Sequence, residues 1–79
     1  MDLVDELSSH IAREFLSDRG QERLEPGDDL TVLLDSVHIM LLARHLEETY
    51  RIRVADDEIS IDNFESVEKL AGFVRRKRA

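Results

Sequence analysis

Leu33-Leu34-Asp35-Ser36-Val37-His38-Ile39-Met40 is the stretch on which the fold turns, because it joins a long polar connection to the most apolar helical run of the chain. On its upstream side lie Pro26-Gly27, a turn signal, and the acids Asp28-Asp29. Downstream, Ile39, Leu42, Ala43, Leu46 and Tyr50 recur at helical spacing and mark the core face of a helix over 37–51. Ser36 sits where an N-cap belongs, facing the positive end of the helix dipole and unpaired backbone N–H groups. A hydroxyl there suits an ordinary cap. That is the usual reading of a serine at a helix start, and the same features also suit a group that has to carry a phosphate.

Working outward, Leu3, Val4, Leu7, Ile11, Phe15 and Leu16 share one face of a first helix over 3–16, with Asp2, Asp5 and Glu6 crowding its first turn. Gly20 is placed to end that helix. Residues 17–35 then form a connection long for so small a domain, with Leu24, Leu30, Val32 and Leu33 as the pins expected to hold it down. Past Arg51, Asp56-Asp57-Glu58 opens a short helical turn to about Ile61, Asp62-Asn63 breaks it, and Phe64 is expected in the core. Ser66 caps a last helix over 67–77 whose Val67, Leu70, Ala71 and Val74 form a further apolar stripe. No strand pattern competes with these. The expected architecture is one all-α domain over 1–79: a small four-helix bundle of three main helices and one short one, with a long first loop.

Val37, Met40 and Leu41 fall off the core stripe of the central helix. Either the long loop covers them or they form a docking surface for partner proteins.

The charge narrows the partners. Arg75-Arg76-Lys77-Arg78 holds four of the eleven bases, so residues 1–74 carry 18 acids against 7 bases. Such a surface repels nucleic acid and anionic lipid and attracts basic patches on other proteins. The terminal bases complement the negative end of the last helix dipole, with a small nucleic-acid or membrane patch as the other reading. No apolar run approaches the roughly 20 residues that span a bilayer. The acidic start is unlike a secretory or organellar signal, and the lack of cysteine fits a reducing compartment, so a cytoplasmic monomer is expected.

Enzyme chemistry finds little to work with. His38 and His45 lie on the second helix and His10 on the first, without cysteines or an H-E-x-x-H spacing, so no metal site is expected. Ser36 and His38 are two apart on a helix and point in different directions, a poor nucleophile–base pair. A calcium loop begun at Asp56 would have Ile61 in place of its glycine and Val67 in place of its closing glutamate. The chain reads as something other than an enzyme.

With these residues in view, the layout resembles the acyl carrier proteins and their peptidyl and D-alanyl relatives. The resemblance covers nearly the whole chain: a small acidic domain, a helix, a long loop, then Asp35-Ser36 and an apolar residue opening the second helix. Leu46-Glu47-Glu48-Thr49-Tyr50 is similar to the family's Leu-Glu-Glu-x-Phe/Tyr segment, and Asn63-Phe64-Glu65-Ser66-Val67 to the start of its last helix. Many carriers read Gly-x-Asp-Ser, where this chain has Leu33. The Leu-Leu-Asp-Ser form of D-alanyl and several free-standing carriers matches Leu33 to Ser36, with Val32 where that form has glycine.

The resemblance implies that a phosphopantetheinyl transferase, with magnesium, esterifies Ser36 with a 4′-phosphopantetheine arm from coenzyme A. The arm's thiol would carry acyl groups as thioesters, a thiol imported after translation into a chain without cysteine. By the same resemblance Asp35 is the adjacent acid offered to the transferase, and Val37, Met40, Glu47 and Glu48 form a docking face for an acyl-loading enzyme, a ketosynthase or other pathway enzymes. The second helix is less acidic than in fatty-acid carriers, with His38, Leu41, Arg44 and His45 at exposed or boundary positions. That points to a free-standing carrier of a polyketide or mixed polyketide–peptide pathway, such as one loading an unusual extender unit. An aminoacyl or D-alanyl carrier is the near alternative, and an unmodified helical interaction module is the alternative from another class.

Overall fold

The apolar stripes become helices packed on one another. A computed structural model describes residues 2–17 and 24–78 of the chain. Helix α1 (Leu3–Ile11) starts at Asp2, whose carboxylate accepts the Asp5 N–H at 2.9 Å. After Ile11 the chain widens into a π-helical stretch, Ala12–Leu16. The wider turn brings Leu16, five residues past Ile11, into the core and leaves Phe15 half-buried at the edge. An unbroken α-helix would instead have stacked Phe15 over Ile11. Gly20, expected to end this helix, lies outside the described residues.

The connection contains a helical turn that its sequence did not announce, α2 (Leu30–Leu33), capped by Asp29 through the Thr31 N–H at 2.9 Å. Two backbone bonds tie this segment to the far side of the molecule: Leu30 N–H to the Glu65 carbonyl at 2.7 Å, and Glu68 N–H to the Pro26 carbonyl at 3.1 Å. Leu24 and Leu30 are buried pins as expected and Leu33 is half-buried, but Val32 is 78% exposed. One turn of helix has room for a single inward face, and Val32, two residues from Leu30, points away from it.

The central helix α3 (Ser36–Tyr50) buries Leu42, Ala43 and Leu46, with Ile39 and Tyr50 packed at its margins. It stops at Arg51, which adopts the left-handed conformation (φ 55°, ψ 49°). A side chain there costs about 1 kcal/mol relative to glycine.

The next segment departs from expectation. A single 3₁₀ turn covers Asp56–Glu58, and a separate turn, α4 (Ile61–Phe64), includes the Asp62-Asn63 pair expected to break the helix. Asn63 holds this turn through its side chain, donating to the Glu58 carbonyl at 2.9 Å and accepting from Arg76 at 3.2 Å. Phe64 is buried and its ring centroid lies 5.9 Å from that of Phe73.

Helix α5 (Val67–Arg78) buries Val67, Leu70, Ala71 and Val74, together with Phe73. Its first turn is capped by the Ser66 hydroxyl, which accepts the Lys69 N–H at 3.3 Å. The terminal bases fold back on the domain. Lys77 pairs with Glu58 at 3.0 Å, and the Arg78 guanidinium lies 5.6 Å from the Tyr50 ring centre. Glu58, which also accepts the Ala55 N–H at 2.9 Å, is held below the usual carboxylate range first by that backbone bond and then by Lys77.

The result is a small all-α bundle of α1, α3 and α5 closed by two short helical turns, with no strand among the described residues. Nor is any described helix long and apolar enough to cross a membrane. Leu46 is fully buried where α3 meets the core. Leu46→Ala is expected to lower unfolding stability by about 2–5 kcal/mol in urea denaturation, whereas Val32→Ala changes it by less than about 0.5 kcal/mol.

Candidate functional site

The start of α3 is set one residue earlier in the chain than its sequence suggests. Asp35, not Ser36, is the N-cap: its backbone is extended (φ −87°, ψ 179°) and its Oδ1 accepts the His38 N–H at 2.9 Å. Its carbonyl accepts the first helical bond, from Ile39 N–H at 3.0 Å. The physical reason is the residue before it. Leu34 is buried to 4% exposure in an extended conformation, which fixes the chain direction so that the next side chain, Asp35, reaches over the helix end. Ser36 therefore occupies the first helical position.

That shift changes what Ser36 is free to do. It is exposed, and its hydroxyl makes no hydrogen bond to a described residue. It stands at the rim of a groove of about 290 Å³ lined by Thr31, Ile39, Met40, Ile59, Ser60, Ile61 and Phe64. The lining is mostly aliphatic and comes from α2, α3 and the α4 region. Asp35 beside it is exposed as well.

The apolar residues that fell off the core stripe are not covered by the loop. Val37 is 62% exposed, Met40 65% and Leu41 49%. A second groove, about 370 Å³, runs along Val37, Met40, Leu41, Arg44 and Glu47 to Val54 and Ile59. Three residues of the expected docking face, Val37, Met40 and Glu47, thus line one surface. Glu48 lies apart from them, in a neighbouring groove with His10, Phe15, Leu41, Arg44 and His45. Glu47 is half-buried, and its Oε2 accepts the Val54 N–H at 3.0 Å, so it also ties the chain after α3 back onto that helix.

Ile61, 63% exposed, belongs to the same apolar surroundings of Ser36 and was not singled out from sequence. Its only signal was a large aliphatic residue between Ser60 and Asp62. The histidines hold a further surprise. His10 and His45 stack face to face, ring centroids 3.5 Å apart and planes 7° from parallel. His38 Nδ1 lies 3.4 Å from Asp35 Oδ1 without completing a hydrogen bond.

No group of three or more metal-ligating side chains occurs among the described residues. Compared with models of known protein families and with curated proteins, the chain matches none.

The cap assignment separates two neighbouring substitutions. Asp35→Ala leaves the His38 N–H without its partner and should cost about 1 kcal/mol. Ser36→Ala removes no capping bond and should leave the melting temperature unchanged within about 1 °C, given the near-neutral effect of such exposed changes. Thermal melts of the two variants beside the parent check both.

Proposed function

We propose that the chain is a carrier protein whose Ser36 is esterified by a 4′-phosphopantetheine arm taken from coenzyme A. The observation that carries this reading is an exposed serine hydroxyl, free of described partners, at the first position of α3. Its resemblance to acyl carrier proteins along nearly the whole chain supplies the rest.

The residues present fit such a group. A phosphate ester on Ser36 would lie against a helix N-terminus, where the dipole and first-turn N–H groups favour negative charge. The acid beside it, Asp35, turns its Oδ1 to the His38 N–H and so serves as the cap. Next to the hydroxyl, Ile39, Met40, Ile59 and Ile61 offer an aliphatic groove to the apolar part of an arm or its cargo. When attached, the arm supplies a thiol on which acyl groups ride as thioesters. The chain itself then does no chemistry. Its residues hold the attachment point clear of the core and tether the cargo, so that a partner meets it at high effective concentration.

The partners of this reading are a phosphopantetheinyl transferase and the enzymes that load and use the cargo, among them an acyl-loading enzyme and a ketosynthase. They would engage Asp35 and the surface at Val37, Met40 and Glu47, with Glu48 in the neighbouring groove. We place the protein in the cytoplasm as a monomer and in a polyketide or mixed polyketide–peptide pathway. An aminoacyl or D-alanyl cargo is the variant of the same reading. A second reading rests on the contiguous exposure of Val37, Met40 and Leu41: a helical interaction module in which that surface, and not Ser36, is the working part.

Intact mass after incubation with coenzyme A, magnesium and a broad-specificity phosphopantetheinyl transferase distinguishes the two. The carrier reading expects a gain of one phosphopantetheinyl group in the parent and none in folded Ser36→Ala. An unchanged mass in the folded parent supports the interaction module.

A further inference from the structure

The stacked histidines do not line the groove at Ser36 and are not used in the reading above. His10 is the next-to-last residue of α1 and His45 sits in the body of α3, so the stack bridges the two helices. It is one link in a longer row. The Phe15 ring meets His10 edge-on at 5.9 Å and His38 at 5.2 Å, and His38 lies against Asp35, the cap of α3. His45 is also steadied by Thr49, whose hydroxyl is 3.2 Å from its Nδ1.

A shared metal ion does not account for this pair. An ion lies in the plane of each imidazole that binds it, and two planes 3.5 Å apart and nearly parallel have no such point in common. What parallel contact does favour is neutral rings. Protonating both would set two cations face to face at van der Waals distance.

The charges around the stack do not offset two added protons. From the π-helical stretch, Glu14 faces it with Arg13, 3.7 Å from that glutamate. From α3, Glu48 faces it with Arg44 at 4.0 Å. His38 stands beyond Phe15. Each carboxylate has a guanidinium beside it, and the pull of Glu14 and Glu48 on the protons stays smaller than the penalty of burial.

We propose that the His10–His45 stack is a latch between α1 and α3 that acid releases. Burial is the first cause holding both rings below the ordinary imidazole range, and for His10 the facing His45 adds to it. Glu14 raises both and Glu48 raises His45, but not enough to reverse the direction. A ring held below its ordinary value of 6.5 takes up its proton more readily when the latch is open or the chain unfolded. The latch is therefore closed above about pH 6.5 and loses its contribution as pH falls through the lowered values of the closed state. Carboxylates such as Asp29 and Glu58, held below their own ordinary range, give way at more acid pH, so the two effects separate.

The test is an NMR titration of the imidazole Cε1–H signals in the full chain, joined to urea unfolding at about pH 7 and about pH 5.5 for the parent and His10→Phe. Phenylalanine keeps an aromatic face for His45 and removes one titrating ring. The latch predicts that the midpoints of His10 and His45 lie below that of histidine in the urea-unfolded chain. It also predicts that the parent's folding constant falls by a larger factor between the two pH values than the variant's. Midpoints at or above the unfolded value, or an equal fall in both proteins, would overturn it. If the variant does not fold, the titration of the parent decides alone.

Discussion

The carboxylate of Asp35 on the His38 N–H sets where α3 begins and what is left for Ser36 to do. A helix of 15 residues begins there, and its first turn must begin with its N–H groups partly unsatisfied. Because Asp35 supplies the capping oxygen, the adjacent serine has no structural duty. The same sequence with the helix started one residue later would spend the hydroxyl on the backbone. The difference between a serine that caps α3 and one that does not is one residue of register, and it falls next to buried Leu34.

Around that point the fold is built to hold the loop, not merely to cover it. The connection between α1 and α3 carries two aspartate caps, at Asp29 and Asp35, each turning the chain into a helical segment. Its backbone is bonded to the junction of α4 and α5 through Leu30 and Pro26. The core of α1, α3 and α5 therefore positions Ser36 through tethers on both sides, while the aliphatic residues near it stay open: Val37, Met40 and Ile61 remain more than half exposed. On the opposite flank, the π-helical stretch turns Phe15 toward His38 and so joins the imidazole row to the same helix start.

The helices were legible because burial follows period. Leu7 and Ile11, Leu42 and Leu46, Val67, Leu70 and Val74 lie on the stripes that their spacing marks, and all are fully buried. Phe73 belonged to the same stripe as Leu70 and Val67 and was readable on that ground alone. The outcome at Asp35-Ser36 was not readable from pattern, since both residues are good caps and only the packing of Leu34 chooses between them. Val32 failed as a pin because a one-turn helix, invisible to an eleven-residue window, faces it outward. Asp62-Asn63 looked like a breaker by propensity. Side-chain hydrogen bonds, one donated by Asn63 to the Glu58 carbonyl and one accepted from Arg76, overrode it. The His10–His45 contact joins residues distant in sequence, and no local pattern encodes it.

Asp35 caps the start of α3, and under the proposed function Ser36 is modified without disturbing the fold. Backbone amide spectra of one sample, recorded before and after treatment with coenzyme A and a phosphopantetheinyl transferase, test it most directly. The expected result is that the Ser36 signal moves as its hydroxyl is esterified, that shifts stay within the surroundings of Ser36, and that the His38 amide keeps its protection from exchange. A Ser36 signal that never moves, or a His38 amide that loses protection on modification, would contradict it.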